Sequence, residues 1–234
     1  LKRRAKQLLK RHQKTYIPQA IDGSVRRGQV LVFSPHPDDE TLGCGGTLAL
    51  HARGGDPIHV VTVTDGALGF QAQAAVDYVA RRAAESEAAF EVLGVRSSEF
   101  WGYPDQGLVV DDALLGRFKD CLERINPAAV YAPSVDEIHP DHLHVAVSVQ
   151  AALAAVRRPI QLMEYEVGNP LAANLLVDVT STIAIKEQAI RCYPSQLQGQ
   201  PLLEKALALN RYRSVNFEDL EITYVEAFRS THFG

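Results

Sequence analysis

Cysteine is scarce in this chain: Cys44, Cys121 and Cys192 are the full complement, an odd number with no Cys-x-x-Cys pair. That argues against a disulfide framework and against a thiolate zinc site, and it fits a reducing, cytoplasmic compartment. Long apolar runs are also missing. No stretch approaches the ~20 residues that a membrane-spanning helix needs, and the N-terminal stretch lacks the apolar core of a signal peptide. The sequence begins at Leu1 rather than Met, which leaves room for upstream residues. Internal repeats, long linkers and low-complexity tracts are absent as well, so solenoids and multi-domain arrays are not expected.

What is present is 234 residues, 46% of them hydrophobic, enough for one sizeable core and one α/β domain. The net charge of −4 is unevenly spread. Residues 1–27 carry +8, from Lys2, Arg3, Arg4, Lys6, Lys10, Arg11, Lys14, Arg26 and Arg27 against Asp22, which leaves −12 on the remainder. Leu1, Ala5, Leu8 and Leu9 fall on one face of a short basic amphipathic helix. We therefore divide the chain into a basic helical extension, 1–27, and a catalytic-type domain, 28–234. The extension either packs its narrow apolar stripe on the domain or on a second subunit, or rests on anionic lipid as a peripheral contact through residues 1–20. Nucleic acid is not an expected partner, because the acidic body would repel phosphates.

Along the domain, Val30–Phe33 reads as a short buried strand and residues 41–53 as a helix stopped by Gly54-Gly55. Ile58–Val63 is a second strand. The alternation continues with helices near 76–93, 111–125 and 143–156, strands around Phe100, 130–132 and 160–166, and helical segments near 183–192 and 202–211. Interleaving of this kind predicts a Rossmann-like, mostly parallel sheet with helices on both faces. Such sheets place ligands beyond the carboxyl ends of their strands.

Two polar clusters stand at such ends. Pro35-His36-Pro37-Asp38-Asp39-Glu40 follows the first strand, and His139-Pro140-Asp141-His142 follows the strand at 130–132. His36 and Asp39 are three apart on a turn into a helix, so their side chains can converge while Asp38 points elsewhere. His139 and His142 share that spacing. Either cluster alone reads as a turn with a helix cap. Together they offer imidazoles and carboxylates without thiolate, a set that suits zinc with three protein ligands and an open position for water.

These two clusters resemble the paired signature of LmbE-like/PIG-L N-deacetylases. Further segments resemble that family's secondary motifs in order: Thr62-Val63-Thr64-Asp65-Gly66, Arg82-x-x-Glu85 running into Leu93-Gly94, Gly102-Tyr103-Pro104-Asp105, Lys186 leading to Tyr193-x-Ser195-Gln196, and Glu226-Ala227-Phe228. The resemblance implies a Rossmann-like fold and a zinc-dependent hydrolase that removes an N-acetyl group from an amino-sugar substrate, free or lipid-linked. Another divalent metal such as Fe2+ is the alternative cofactor, and an oligomer is compatible with it. Residue by residue, it implies that His36, Asp39 and His142 hold the metal. Asp38 becomes the base that deprotonates the water, and His139 stabilises the oxyanion with Asp141 orienting or charging it. Arg82, with Arg81 as a rival, and Asp105 become substrate-binding residues. Glu40 is expected behind the ligands or as a helix cap. One departure is Glu137, two residues before His139, where thiol-pathway relatives resemble a tyrosine.

Gly43-x-Gly45-Gly46 is not read as a dinucleotide fingerprint, since it follows a metal-type cluster and no acidic residue closes a ribose site. The three cysteines are expected in packing roles. Two other functions remain in view: a zinc amidase for a different N-acyl conjugate, and a metal-dependent carbohydrate-binding protein without turnover. A base beside the metal argues against the second.

Overall fold

The computed structural model of the chain describes residues 19–20, 25–69 and 75–234, so the basic amphipathic segment lies largely outside the described residues. In chain order the elements are β1 (Gln19–Ala20), β2 (Val30–Ser34), α1 (Asp39–Arg53), β3 (Ile58–Thr64), α2 (Ala75–Leu93), β4 (Ser97–Tyr103), α3 (Asp112–Ile125) and β5 (Ala129–Pro133). There follow α4 (Pro140–Val156), β6 (Ile160–Tyr165), β7 (Leu175–Asp178), α5 (Ile183–Ile190), α6 (Pro194–Leu197), α7 (Leu202–Arg213), a 3-10 turn at Ser214–Asn216, and β8 (Val225–Phe233).

The strands form one sheet in the order β1-β7-β8-β6-β5-β2-β3-β4. All neighbours are parallel except β8, which runs antiparallel between β6 and β7. The expected mostly parallel sheet is thus present, with helices on both faces. On β2, Val30 and Val32 join a core with Cys44 and Leu48 of α1, Phe90 and Leu93 of α2, and Ala189 of α5. Leu31 and Phe33 join the opposite core, with Leu114 and Phe118 of α3 and Val145 and Val149 of α4. This alternation is the period of two expected of a strand buried on both sides.

Three strands were not legible in the sequence pattern: the two-residue β1, which falls in the segment read as a helical extension, and β7 and β8. β7 is only four residues long, and β8 carries Glu226, Arg229, Ser230, Thr231 and His232 among its apolar residues, so neither has the apolar signature of β2. Part of the basic 1–27 segment belongs to the fold. Gln19–Ala20 pairs with β7, Arg26 donates through its backbone N–H to Gln161 at 2.8 Å, and Arg27 pairs with Asp56 at 2.8 Å.

The glycine-rich stretch of α1 has a packing cause. A side chain at Gly43 would bring its Cβ to 2.3 Å from the Tyr165 ring, and one at Gly46 would meet Val179 at 2.8 Å. The helix can therefore lie close on the sheet, and Tyr165 donates across it to the Phe33 carbonyl at 2.9 Å. Cys44 and Cys121 are buried in the two cores, and burial raises the pKa of both thiols.

The strand order reverses at β2. Chain order runs outward from it through β3 and β4, then returns to β5 on its other flank, so the carboxyl ends of β2 and β5 sit side by side at a topological switch point. Both polar clusters begin there.

Candidate metal and catalytic site

The turn after β2 is folded by its own side chains. Asp39 accepts the His36 backbone N–H at 2.9 Å, which curls the segment and brings the two side chains together. Thr64 anchors the turn to β3, donating to the Pro35 carbonyl from its N–H at 2.9 Å and its hydroxyl at 2.8 Å. Asp38, at the N-terminus of α1, has φ 122° and ψ −25°, a conformation that costs energy in any residue with a Cβ. Arg82 of α2 holds it there. This buried guanidinium donates to the carbonyls of Pro37 and of Gly66, the latter at 3.1 Å, and lies 3.2 Å from the Asp38 carboxylate.

The second cluster opens α4. His139 is the N-cap, Pro140 occupies the first turn, and Asp141 donates its N–H to His139 Nδ1 at 3.2 Å. One turn of helix then presents Asp141 and His142 toward the β2 turn.

The clusters meet in a small triangle. His36 Nδ1 lies 3.1 Å from Asp39 Oδ2 and 3.2 Å from His142 Nε2, and His142 Nε2 lies 3.1 Å from Asp39 Oδ2. Tetrahedral ligands at zinc bond lengths of ~2.0–2.1 Å stand about 3.3 Å apart, so these three atoms have the spacing of one face of such a site. The far nitrogens are backed by carboxylates. His36 Nε2 faces Asp141 at 3.2 Å and Asp105 at 3.3 Å, while His142 Nδ1 faces Glu137 at 3.4 Å. Metal-binding imidazoles are commonly oriented in this way. His139 stands beside them, with its ring 4.6 Å from that of His36; His36, His139 and His142 form one group close enough to share an ion, and His36, Asp105, His139 and Asp141 form another.

The electrostatics favour a cation at the triangle. Four carboxylates, those of Asp39, Asp105, Glu137 and Asp141, face His36 or His142, and the fifth, that of Asp38, pairs with Arg82. Burial opposes charge on His36, but the facing Asp105, Asp141 and Asp39 outweigh it and raise its pKa well above the ordinary value. His142 is likewise pushed up to about 9, burial being overcome by Asp39 and Glu137. Asp39 is held well below the usual carboxylate range because His142 and His36 outweigh its burial. A site that draws protons onto two buried imidazoles stabilises positive charge where a divalent ion would sit. Asp141 Oδ1, buried, has no hydrogen-bond partner among the described residues. The residues therefore fit a metal.

Asp38 behaves differently from its neighbour. Burial pushes its pKa up to about 7, against the pull of Arg82. Glu40, fully buried, accepts from Ser34, Thr41 and Tyr193 at 2.6, 2.7 and 2.9 Å, so it braces the start of α1 from behind.

Several expectations change in detail. The contacts of Arg82 do not face outward for a substrate: the guanidinium is turned in as a clamp on Asp38. Glu85, one turn further along α2, accepts from the Ser195 N–H and hydroxyl at 3.0 and 2.5 Å. Asp105 is drawn to His36 and to the Leu68 N–H at 3.0 Å. The Asp141 carboxylate faces His36 and the Gln106 N–H at 2.7 Å, so its direct partner is a triangle residue rather than His139. The pKa of His139 is lowered rather than raised, by burial and by the nearby His36 and His142. Since its Nδ1 accepts the Asp141 N–H, the neutral ring carries its proton on Nε2.

Residues 31–153 match the family described as PIG-L: GlcNAc-PI de-N-acetylase, a span that holds both clusters. The chain belongs to this family. One relative is the "Probable N-acetyl-alpha-D-glucosaminyl L-malate deacetylase 2" of Bacillus anthracis. It is 28% identical over 187 residues, covering 71% of this chain and 80% of that protein. Among solved structures, the N,N'-diacetylchitobiose deacetylase of Pyrococcus horikoshii matches with a TM-score of 0.77 at 25% identity, over 87% of this chain and 83% of that one. GalB, the 4-carboxy-2-hydroxymuconate hydratase of Pseudomonas putida KT2440, matches with a TM-score of 0.76, also at 25% identity, over 87% and 96%. The same architecture thus also appears in a hydratase, so the reaction has to be argued from the site rather than from the fold.

Proposed function

We propose that the chain hydrolyses the N-acetyl amide of an amino-sugar-containing substrate, giving the free amine and acetate, with zinc as the metal. The observation that carries this reading is the triangle of His36 Nδ1, Asp39 Oδ2 and His142 Nε2 with a buried carboxyl, Asp38, beside it and outside it. The family match and the deacetylase relatives supply the substrate class.

A neutral acetamide is a poor electrophile. Zinc held by His36, Asp39 and His142 would supply a Lewis acid for its carbonyl and acidify an attacking water. Asp38 takes the proton from that water as the C–O bond forms, and returns it to the nitrogen as the C–N bond breaks. A base that serves both steps works best with a pKa near the working pH, and the raised value at Asp38 follows from its burial. Arg82 keeps that carboxyl pointed into the site by clamping the turn that carries it. His139, with its proton on Nε2, donates a hydrogen bond to the carbonyl oxygen as negative charge develops there. It does so as a neutral imidazole, in place of the imidazolium that the sequence suggested. Asp105 and Asp141 orient His36.

A cavity of about 390 Å³ beside α1 is lined by residues that include Leu42, Val167, Pro170, Leu202, Lys205 and Leu209. Leu42 is one turn along α1 from Asp39, so this cavity is where we place the part of the substrate that the amino sugar carries.

The test is incubation of the zinc-loaded protein with a panel of N-acetylglucosaminides, read by mass spectrometry. Loss of one acetyl unit with equimolar acetate is the expected result. Addition of water to an unsaturated acid without acetate release would favour the hydratase chemistry of the GalB neighbour, and sugar binding without any product would leave a carbohydrate-binding protein.

A further inference from the structure

Glu137 belongs to neither motif read as ligand or base, yet it is buried and unusually well held. Its Oε1 accepts the N–H groups of Val167 at 2.7 Å, Gly168 at 3.1 Å and Asn169 at 3.3 Å, and Oε2 accepts that of Gly168 at 3.1 Å. A carboxylate fixed by three backbone donors has no freedom to turn away. Its Oε2 stands 3.4 Å from His142 Nδ1, and both side chains are almost fully buried. His142 Nδ1 is buried and makes no hydrogen bond among the described residues, and the Glu137 carboxylate is the acceptor that faces it.

An imidazole can present a lone pair on Nε2 only if its remaining proton is on Nδ1. We propose that Glu137 is a positioning residue that imposes this tautomer on His142, by accepting the Nδ1 proton and so aiming the bare Nε2 into the triangle with His36 and Asp39. The assignment rests on the metal-centre reading given above. It also gives a reason for an acid at a position where a tyrosine would be a donor as well as an acceptor: only a carboxylate can accept from the 167–169 loop and from His142 together.

The chemistry of glutamine makes this testable with little change of shape. If the amide oxygen of Glu137→Gln accepts the loop N–H groups, its NH₂ faces His142 and favours the wrong tautomer. If the amide flips, the NH₂ points at three donors. Zinc affinity, measured by competition with a chromophoric chelator, is expected to fall about 10–100-fold in Glu137→Gln, the usual cost of removing a carboxylate behind a histidine ligand. The melting temperature of the metal-free protein should change little. Affinity within twofold of wild type in a folded Glu137→Gln overturns the proposal. A second measurement needs no variant. In the zinc-loaded wild type labelled with ¹⁵N-histidine, His142 should bind through Nε2 and show a slowly exchanging Nδ1 proton. Binding through Nδ1, or a rapidly exchanging Nδ1 proton, overturns it equally. Neither readout uses the deacetylation assay. A wild type that binds zinc in this way but releases no acetate would refute the proposed reaction and leave the role of Glu137 standing.

Discussion

At the scale of single residues, the proposed reaction divides the site into groups that hold charge in place and one group, Asp38, that moves a proton. His36→Ala and His142→Ala each remove a corner of the triangle, so both should lose metal and activity together, by elemental analysis after dialysis and by acetate release. Full metal content in the double variant would contradict the ligand set. Asp38→Asn should keep the metal, because Asp38 makes no edge of the triangle, yet lose about 10²–10⁴-fold in turnover, the usual worth of a general base. Turnover above about half of wild type in the metal-replete variant would require a different base. The convergence of the two clusters was readable from sequence because it depends on local spacing: His36 and Asp39 meet through a turn closed by their own hydrogen bond, and His142 follows His139 by less than one helical turn. Which of these residues is ligand and which is base came from the family resemblance, and it is what these variants test. What was not readable were the pairings of carboxylates and guanidinium across the chain. Asp38 and Arg82 are brought together by a strained turn on one side and a helix on the other, and nothing in either local pattern encodes that meeting. The proton position on His139 was equally hidden, since it is decided by the Asp141 backbone N–H rather than by its side chain.

At the scale of elements, the site depends on how α1 is held against the sheet. Glu226 of β8 accepts the N–H groups of Gly46 and Thr47 in the middle of α1 at 2.9 and 2.7 Å, and the Thr47 hydroxyl at 2.6 Å. It also pairs with Lys186 of α5 at 2.6 Å. Lys186 and Glu226 are both fully buried, so this ion pair ties α1, α5 and β8 into one block. A buried pair is strongly destabilised when one partner is removed, by about 3–5 kcal/mol, because the other charge is left uncompensated. Lys186→Met should therefore lower the melting temperature by on the order of 10 °C for a chain of this length. Adding Glu226→Gln should restore part of the loss, since a neutral amide leaves no buried charge. A single variant as stable as wild type in calorimetry would show that the pair contributes nothing to the block. The two residues were visible in sequence as separate motif members. Their pairing was not, because β8 mixes polar and apolar residues and did not read as a strand at all, whereas β2 and β5 did so through apolar runs buried on both faces.

At the scale of the whole molecule, the uneven charge invites a question about where the protein works. Among the described residues no helix is long and apolar enough to cross a membrane. The acidic body holds its excess carboxylates partly at the site, whereas the +8 of residues 1–27 is concentrated at one end. Of that positive charge, Arg27 is neutralised by Asp56 and Arg26 is bound to the Pro159 carbonyl, so both are committed to the domain. The seven basic residues between Lys2 and Lys14 precede the first strand of the sheet. Each lysine or arginine near an anionic surface contributes about 1 kcal/mol, so seven would suffice for reversible attachment at low ionic strength and would weaken steeply as salt is added. The full chain is therefore expected to float with vesicles containing phosphatidylserine and to remain behind with neutral vesicles. A chain beginning at Gln19, which retains the β1 pairing with β7, should lose flotation and keep its activity on a water-soluble substrate. Equal flotation of the two forms would place the membrane contact on the domain itself. Flotation by neither would leave the basic segment to packing on the domain or on a second subunit, which a change in sedimentation between the two forms would then reveal.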